Sequence, residues 1–232
     1  MGKGKAPPLR FKDACIRFRT NEPDYTDLPN RPFEWDKSII GDAIEMLPHD
    51  APKPLGKRVV MTHYVDANLY HDWITGRSVT GILSLLNQTP IDWYSKKQST
   101  VETATYGSEF VATRVCIDRA VDIRATLRYL GVPLAHRDVV FGDNESVVNS
   151  SMRLDAKLHK RHNALSFHRV REAIAAGYIQ YFHMPGKTNP ADILSKHWGY
   201  SNVWTTLQPF LFWRGETAKT PQPHSSDQHD HT

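Results

Sequence analysis

The chain has 232 residues, 40% hydrophobic and 23% charged, with a formal net charge of +4 and a pI near 9.0. That suits one domain of ordinary size with tails, or at most two small ones. No apolar run approaches the roughly 20 residues of a membrane span. The basic start, Met1 to Lys12, lacks the apolar core of a secretory signal. The two cysteines, Cys15 and Cys116, lie far apart and form no Cys-x-x-Cys, so neither a disulfide framework nor a zinc ribbon is expected. These features predict an intracellular, cytoplasmic protein with no membrane partner. Its mild basicity permits a polyanionic partner without demanding one.

Residues 1–57 read as an N-terminal extension and linker. Six of the fifteen prolines fall in residues 1–50, and Ser38–Leu47 is one short amphipathic helix ended by Pro48. The dense part is 58–198. Val59–Val65, Val79–Leu86 and Ile91–Ser95 read as strands. Their connections, Asn68–Ser78 and the turn at Asn87–Pro90, are too short for helical crossovers, so the three form an antiparallel meander. Ser99-Thr-Val-Glu102 is a capping box ahead of a helix that runs to about Asp118 and, after a break or bend, to Leu130. Gly131-Val-Pro133 closes it. Val139–Phe141 is a fourth strand, ending in Gly142-Asp143-Asn144, and Ser146–Ser150 starts a short helix. Lys160–Ala176 is an amphipathic helix with Gly177 as its C-cap. Tyr178–Met184 is a fifth strand, and after the turn at Pro185–Pro190 a helix opens at Ala191–His197. Residues 199–232 are a C-terminal extension, expected to be disordered from about 217. The order β-β-β-α-β-α-β-α predicts an α/β fold. Its five-stranded mixed sheet is a three-stranded antiparallel meander plus two parallel strands, flanked by helices.

Four acids occupy constrained places. Asp66 ends the first strand and Asp143 ends the fourth. If those strands are parallel neighbours, both carboxylates open on one edge of the sheet. Glu109 lies deep in the long helix beside Phe110 and Val111, whereas the capping box already accounts for Glu102. Asp192 opens the last helix. Any one of them alone is more often a turn former; together they predict one metal centre. Close unpaired carboxylates repel, and bound cations remove that penalty. Carboxylate ligands select hard ions, Mg²⁺ first and Mn²⁺ as its substitute. Two such ions about 4 Å apart activate a water and stabilise a leaving oxygen in phosphodiester hydrolysis.

Six segments add a family resemblance: Tyr-Val-Asp-Ala (64–67), Gly-Arg-Ser-Val-Thr-Gly (76–81), Trp-Tyr-Ser-Lys-Lys-Gln (93–98), Ser-Glu-Phe-Val-Ala (108–112), Asp-Asn-Glu-Ser-Val (143–147) and Asn-Pro-Ala-Asp-Ile-Leu-Ser-Lys (189–196). In this order and spacing they resemble the ribonuclease H domain of copia-type (LTR retrotransposon) reverse transcriptase polyproteins, over about residues 58–198. The resemblance implies a ribonuclease H-like fold and an endoribonuclease of retrotransposon reverse transcription. Such an enzyme cleaves the RNA strand of an RNA–DNA hybrid with two Mg²⁺ ions. It carries over Asp66, Glu109, Asp143 and Asp192 as catalytic and metal-binding acids. This sequence departs from the family at Asn68 and Gly107, where further acids often stand; neither belongs to the four. Residues 1–57 resemble the junction that follows a polymerase, which makes a polymerase domain of the same polyprotein an expected partner and a virus-like particle an expected setting. In many ribonucleases H a histidine some ten residues before the last acid helps product leave. His183 lies nine before Asp192, but strand alternation favours an ordinary half-exposed sheet residue.

Substrate contacts are expected from Ser95, Lys96, Lys97 and Gln98, ahead of the long helix, and from Asn144, Lys160 and Arg161. Lys157, His159, His162, Arg169 and Arg171 extend the second basic group. A solvated face is the plainer reading of each residue alone; as a pair of patches they suit a hybrid backbone, read by shape and 2′-hydroxyls. Trp93 and Phe110 read as core, and Trp73, Tyr94 and Tyr106 as candidates for base stacking. His224, His229 and His231 belong to a polar tail. A non-catalytic nucleic-acid-binding or docking remnant of a polyprotein is the alternative. A polymerase Tyr-x-Asp-Asp motif is excluded by Ala67, and the Asp, Glu, Asp, Asp order points away from an integrase core.

Overall fold

A computed structural model of the chain describes residues 14–16, 19–28, 45–135, 137–158 and 160–213. The helix expected at Ser38–Leu47 falls mostly outside them. So do His159, the tail beyond 213 and its three histidines.

The first strand, β1 (Ala14–Ile16), belongs to a two-stranded ribbon. It pairs antiparallel with the last, β7 (Leu211–Trp213), so the two extensions meet. Nothing in the sequence signalled this pairing. The main sheet is the expected one. β2 (Met61–Asp72), β3 (Arg77–Leu86) and β4 (Thr89–Lys97) form the antiparallel meander, and β5 (Asp138–Gly142) and β6 (Ile179–His183) add parallel strands beyond β2. The strand order is β4-β3-β2-β5-β6, with β2, β5 and β6 parallel to one another.

Several boundaries differ from the sequence reading. β2 continues to Asp72, so Asp66 sits within the strand and not at its end. A bulge between Asn68 and Asp72, with Tyr70 at φ +52°, lets pairing with β3 resume at Arg77 across a stretch whose polar composition reads as loop. Pro90 lies inside β4, which an edge strand tolerates. The long helix, α1 (Thr105–Tyr129), is one unbroken element of 25 residues, closed by Gly131 at φ +75°. It starts later than the capping box predicts. Its N-cap residue, Ala104, makes no side-chain bond. Glu102 is instead buried before the helix, where it accepts from His162 Nε2 at 3.0 Å. Three shorter helices follow: α2 (Glu145–Met152), α3 (Ala164–Ala175) and α4 (Asp192–Ser195), a single turn. A 3₁₀ turn at Arg161–Asn163 occupies the expected start of α3, and Gly177 closes that helix at φ +72°. The last helix is α5 (Tyr200–Leu207).

Strand alternation divides the core between the two sheet faces. On one face Val65, Ile82, Val140, Ile179 and Tyr181 pack with Phe110 and Ile117 of α1 and with Phe167, Val170 and Ile174 of α3. Each such side chain contributes roughly 1.5–3 kcal/mol by leaving water, so this larger cluster fixes where α1 lies across β2. On the other face Val60, Val139, Phe141 and Phe182 are covered by Tyr25 and Leu28. The Tyr25 hydroxyl bonds Thr62 and its ring lies 5.8 Å from Phe141. Part of the expected peripheral extension is thus packing material. Phe110 is buried as expected, but Trp93 is 59% exposed, because β4 is an edge whose outer residues meet solvent.

Candidate metal centre

The parallel pairing of β2 with β5 ends at Val65 and Gly142. Asp66, within β2, and Asp143, just after β5, are the next residues, side by side where the parallel pairing stops. Glu109 comes from the second turn of α1, and its Oε1 accepts from the backbone N–H of Ala67 at 3.2 Å. Carboxylate oxygens of Asp66, Glu109 and Asp143 all lie within 4.8 Å of one another. The first two acids are buried and Asp143 is half-buried. They line an open depression of about 570 Å³ that also touches Asn68, Thr105, Asn144 and Lys196.

Burial sets the electrostatics. It pushes the Asp66 carboxyl up to about 6; the Ser195 hydroxyl and Lys196 pull it down, and Asp143 and Asp192 push it further up. Glu109 is held well above the usual carboxylate range, first by burial and then by the charges of Asp66 and Asp143, with the Ala67 N–H and Lys196 opposing. The cluster therefore resists carrying its full negative charge near neutrality. A cation reverses that balance.

The fourth expected acid arrives differently. Asp192 lies outside the three-acid group and meets it through Lys196, whose ammonium contacts the Asp192 carboxylate and lies 3.5 Å from Asp66 Oδ1. Ser195 donates its hydroxyl to Asp66. Three devices hold α4 there. Gly81 faces Asp66 in register, and a Cβ at Gly81 would stand 2.6 Å from the Ala191 carbonyl and 2.8 Å from the Ser195 nitrogen. Asn189 donates from Nδ2 to the Val65 carbonyl at 2.8 Å and accepts from Ala191 N–H at 3.1 Å. Ser95 donates to the Leu194 carbonyl at 2.5 Å. Another close approach is at Gly186, where a Cβ would lie 2.9 Å from Asp143 Oδ2.

Sequence reasoning assigned no role to Gly81, Asn189, Gly186, Ser195 or Lys196. A signal existed for the first, since an isolated glycine inside a strand pattern often marks a close backbone approach. For Asn189, Ser195 and Lys196 it lay in the segment quoted for Asp192.

The expected substrate residues are spread over several roles. Lys96, Lys157 and Arg161 are exposed. Lys97 pairs with Asp72 at 2.8 Å. Gln98 is buried, and its amide donates to Thr80 Oγ1 at 3.1 Å and to the Ser108 carbonyl at 2.9 Å. Asn144 caps α2, accepting from Val147 N–H at 3.2 Å. Lys160 donates to Thr103 at 2.8 Å. Arg169 pairs with Asp118 and Glu172, and Arg171 donates to the carbonyls of Ser150, Arg153 and Leu154. His183 is exposed, with Nε2 3.1 Å from the Asp143 carbonyl. Of the stacking candidates, Trp73 is exposed, while Tyr106 meets Phe110 edge-on at 4.9 Å and Tyr94 lies under Arg119.

The donors are all carboxylate oxygens, with no thiolate or imidazole in the group. They fit a hard divalent ion of the Mg²⁺ or Mn²⁺ kind.

Over 141 residues, 61% of its length, the chain is 26% identical to the retrovirus-related Pol polyprotein from transposon TNT 1-94 of Nicotiana tabacum. Over the same length it is 26% identical to that from transposon RE2 of Arabidopsis thaliana. Its homologues are retrovirus-related Pol polyproteins. The chain spans about 10% of the length of these relatives. Among solved structures, the N-terminal RNase H domain of a Mycobacterium tuberculosis protein, determined as a maltose-binding-protein fusion, aligns with a TM-score of 0.44 and 18% identity. That alignment covers 65% of this chain and 97% of that one. No protein-family model matches. No helix among the described residues is long and apolar enough to cross a membrane.

Proposed function

We propose that the chain is the ribonuclease H part of a copia-type retrotransposon Pol polyprotein, an endoribonuclease that cleaves the RNA strand of RNA–DNA hybrids. The observation that carries this is the meeting of Asp66, Glu109 and Asp143 within 4.8 Å where the parallel pairing of β2 and β5 stops. The relationship to Pol polyproteins supports the setting, and a polymerase domain of the same polyprotein is the proposed partner.

Asp66, Glu109 and Asp143 would hold Mg²⁺, with Mn²⁺ as a substitute, and Asp192 would join them once Lys196 releases it. Two ions there would supply a water activated for attack and a counter-charge for the leaving 3′ oxygen. The protein's own contribution is position and charge. Ser195 and the Ala67 N–H fix the orientation of Asp66 and Glu109. The open depression would admit a phosphodiester backbone without reading its sequence. Exposed Lys96 and Arg161 would hold the flanking phosphates.

The test is cleavage of a labelled RNA–DNA hybrid beside duplex DNA and single-stranded RNA. Cutting of the RNA strand of the hybrid, dependent on Mg²⁺ or Mn²⁺ and lost in Asp66→Asn, supports the reading. An intact hybrid with pure, folded protein in both ions overturns it. One observation favours the second reading, a hybrid-binding or docking remnant: Lys196 already offers a cation to Asp66 and Asp192. Retained hybrid affinity without turnover would favour that reading.

A further inference from the structure

The depression over the acids runs along β2 as far as Leu69. At the next residue the backbone leaves its regular path. Tyr70 stands at φ +52°, a conformation rare for a bulky L-residue, inside the bulge between Asn68 and Asp72. Bulges re-aim side chains beside active sites, and strained backbone gathers there. Beyond the bulge the β2–β3 turn is firmly braced. Asp72 accepts from the backbone N–H groups of Ile74 and Thr75 at 3.1 and 3.4 Å, and from the Thr75 hydroxyl and Lys97 Nζ at 2.8 Å each. Gly76, at φ +68°, donates to the Asp72 carbonyl at 2.7 Å. This turn holds Trp73 91% and Ile74 96% exposed. Tyr70 and Val101, both partly exposed, flank the same Gly76, 3.8 and 3.3 Å from where a Cβ would stand. Large apolar side chains gathered in water on a rigid tip mark an interaction surface.

The charge around the tip is positive. Asp72 is the only acid in residues 69–79 and 93–101, and Lys97 pairs with it. Arg77 and Lys96 are exposed. Strand register sets Ala67 level with Thr80 and Lys96, and Asp72 level with Arg77, so both cations stand at the end of the sheet where the acid group opens. An aromatic side chain between cations suits a nucleic acid, whose sugars and bases meet the ring while phosphates meet the cations. At about 3.3 Å per residue, the stretch of β2 from Asp66 to Trp73 spans roughly 20 Å once the bulge is allowed for. A duplex fits about six base pairs into that span. Building on the function proposed above, we propose that the β2–β3 tip is an arm for the hybrid. Trp73 and Ile74 lie in its wide, shallow minor groove about six base pairs from the cut, and Arg77 takes a phosphate beside them.

The experiment is fluorescence anisotropy of a labelled hybrid of about 18 base pairs with the whole chain, in Mg²⁺ and over a range of salt. An Asp143→Asn background keeps the hybrid intact. Trp73→Ala weakens binding by about fivefold or more with the salt dependence unchanged, and Trp73→Phe recovers most of the loss. Arg77→Ala weakens binding and lowers the salt slope by about one. Neither alanine variant shifts the melting temperature, since both side chains are exposed. Cleavage is read separately, with Asp143 intact. A chain that binds through Trp73 and does not cut keeps the arm and loses the ribonuclease. A chain that cuts, and whose Trp73→Ala variant binds as tightly as its background, keeps the ribonuclease and loses the arm. Absence of hybrid binding overturns the proposal. So does a Trp73→Ala variant altered in oligomeric state and not in hybrid affinity, which would assign the tip to a protein contact.

Discussion

β5 has an aspartate at each end, and the two are treated in opposite ways. Asp138 opens the strand and is buried. Arg124, itself buried, reaches its Oδ1 at 2.5 Å and is held in turn by Glu45 at 2.7 Å; His63 Nε2 lies 3.5 Å from the other oxygen. Asp143 follows the strand and faces Asp66 and Glu109, with no guanidinium paired to any of the three among the described residues. The nearby cation is a partly exposed lysine, 3.5 Å from Asp66. The difference teaches how to tell a structural acid from a functional one. At one end the chain supplies the counter-charge from its own interior; at the other it gathers like charges at an opening, beside a single partly exposed lysine.

The largest expected effect sharpens the functional end. Asp66→Asn or Asp143→Asn should lower hybrid cleavage by about a thousandfold or more, while urea denaturation without metal shows stability equal to the wild type or higher. A stability loss as large as the activity loss would assign these acids to the structural class. At the other end, Arg124→Met should destabilise the fold by about 3–5 kcal/mol, because it strands a buried charge. Adding Asp138→Asn should recover much of that loss, and Mn²⁺ affinity should not change. If the double variant is no better than the single, the ion pair is not what Asp138 needs.

The pH dependence separates the two ends next. Burial raises Asp66 from 3.8 to about 6. In the ion-free protein its contribution is therefore complete below about pH 4 and is lost as the pH rises through about 6, by on the order of 3 kcal/mol. Glu109, raised for the same reasons, adds to the fall. Denaturation in chelator between pH 4 and 7 should show this slope in the wild type and a reduced one in Asp66→Asn, with saturating Mg²⁺ flattening the wild-type curve. Identical slopes would contradict the account. Gly81→Ala should cost about 1–3 kcal/mol by overpacking against the α4 backbone, and circular dichroism with denaturation would measure it. Lys196→Met, the smallest change, should raise Mg²⁺ affinity by several-fold, since Lys196 competes with the ion; weaker binding would instead make it a supporting residue.

Much of this was legible in the sequence. The meander, the two parallel strands and the long helix follow from hydrophobic periodicity and short connections. Asp66, Glu109 and Asp143 followed from their places on those elements. What escaped was set by tertiary contact. The continuation of β2 past Asn68 depends on a bulge that no local pattern encodes. Glu102 looks like a capping residue until His162, sixty residues away in sequence, draws it in. Gln98 looks like a surface contact, and only the fold reveals that Thr80 and Ser108 consume its amide. The pairing of β1 with β7 joins segments nearly two hundred residues apart, each too short to announce a strand.

The most direct test of the acid cluster is Mn²⁺ binding to the ion-free protein, followed by electron paramagnetic resonance. The account predicts that the wild type takes up Mn²⁺, that Asp66→Asn and Glu109→Gln each lose most of that uptake, and that Asp138→Asn, at the far end of the same strand, keeps it. Uptake that persists in the first two variants, or is absent from the wild type, would contradict the claim that these three acids form a metal centre.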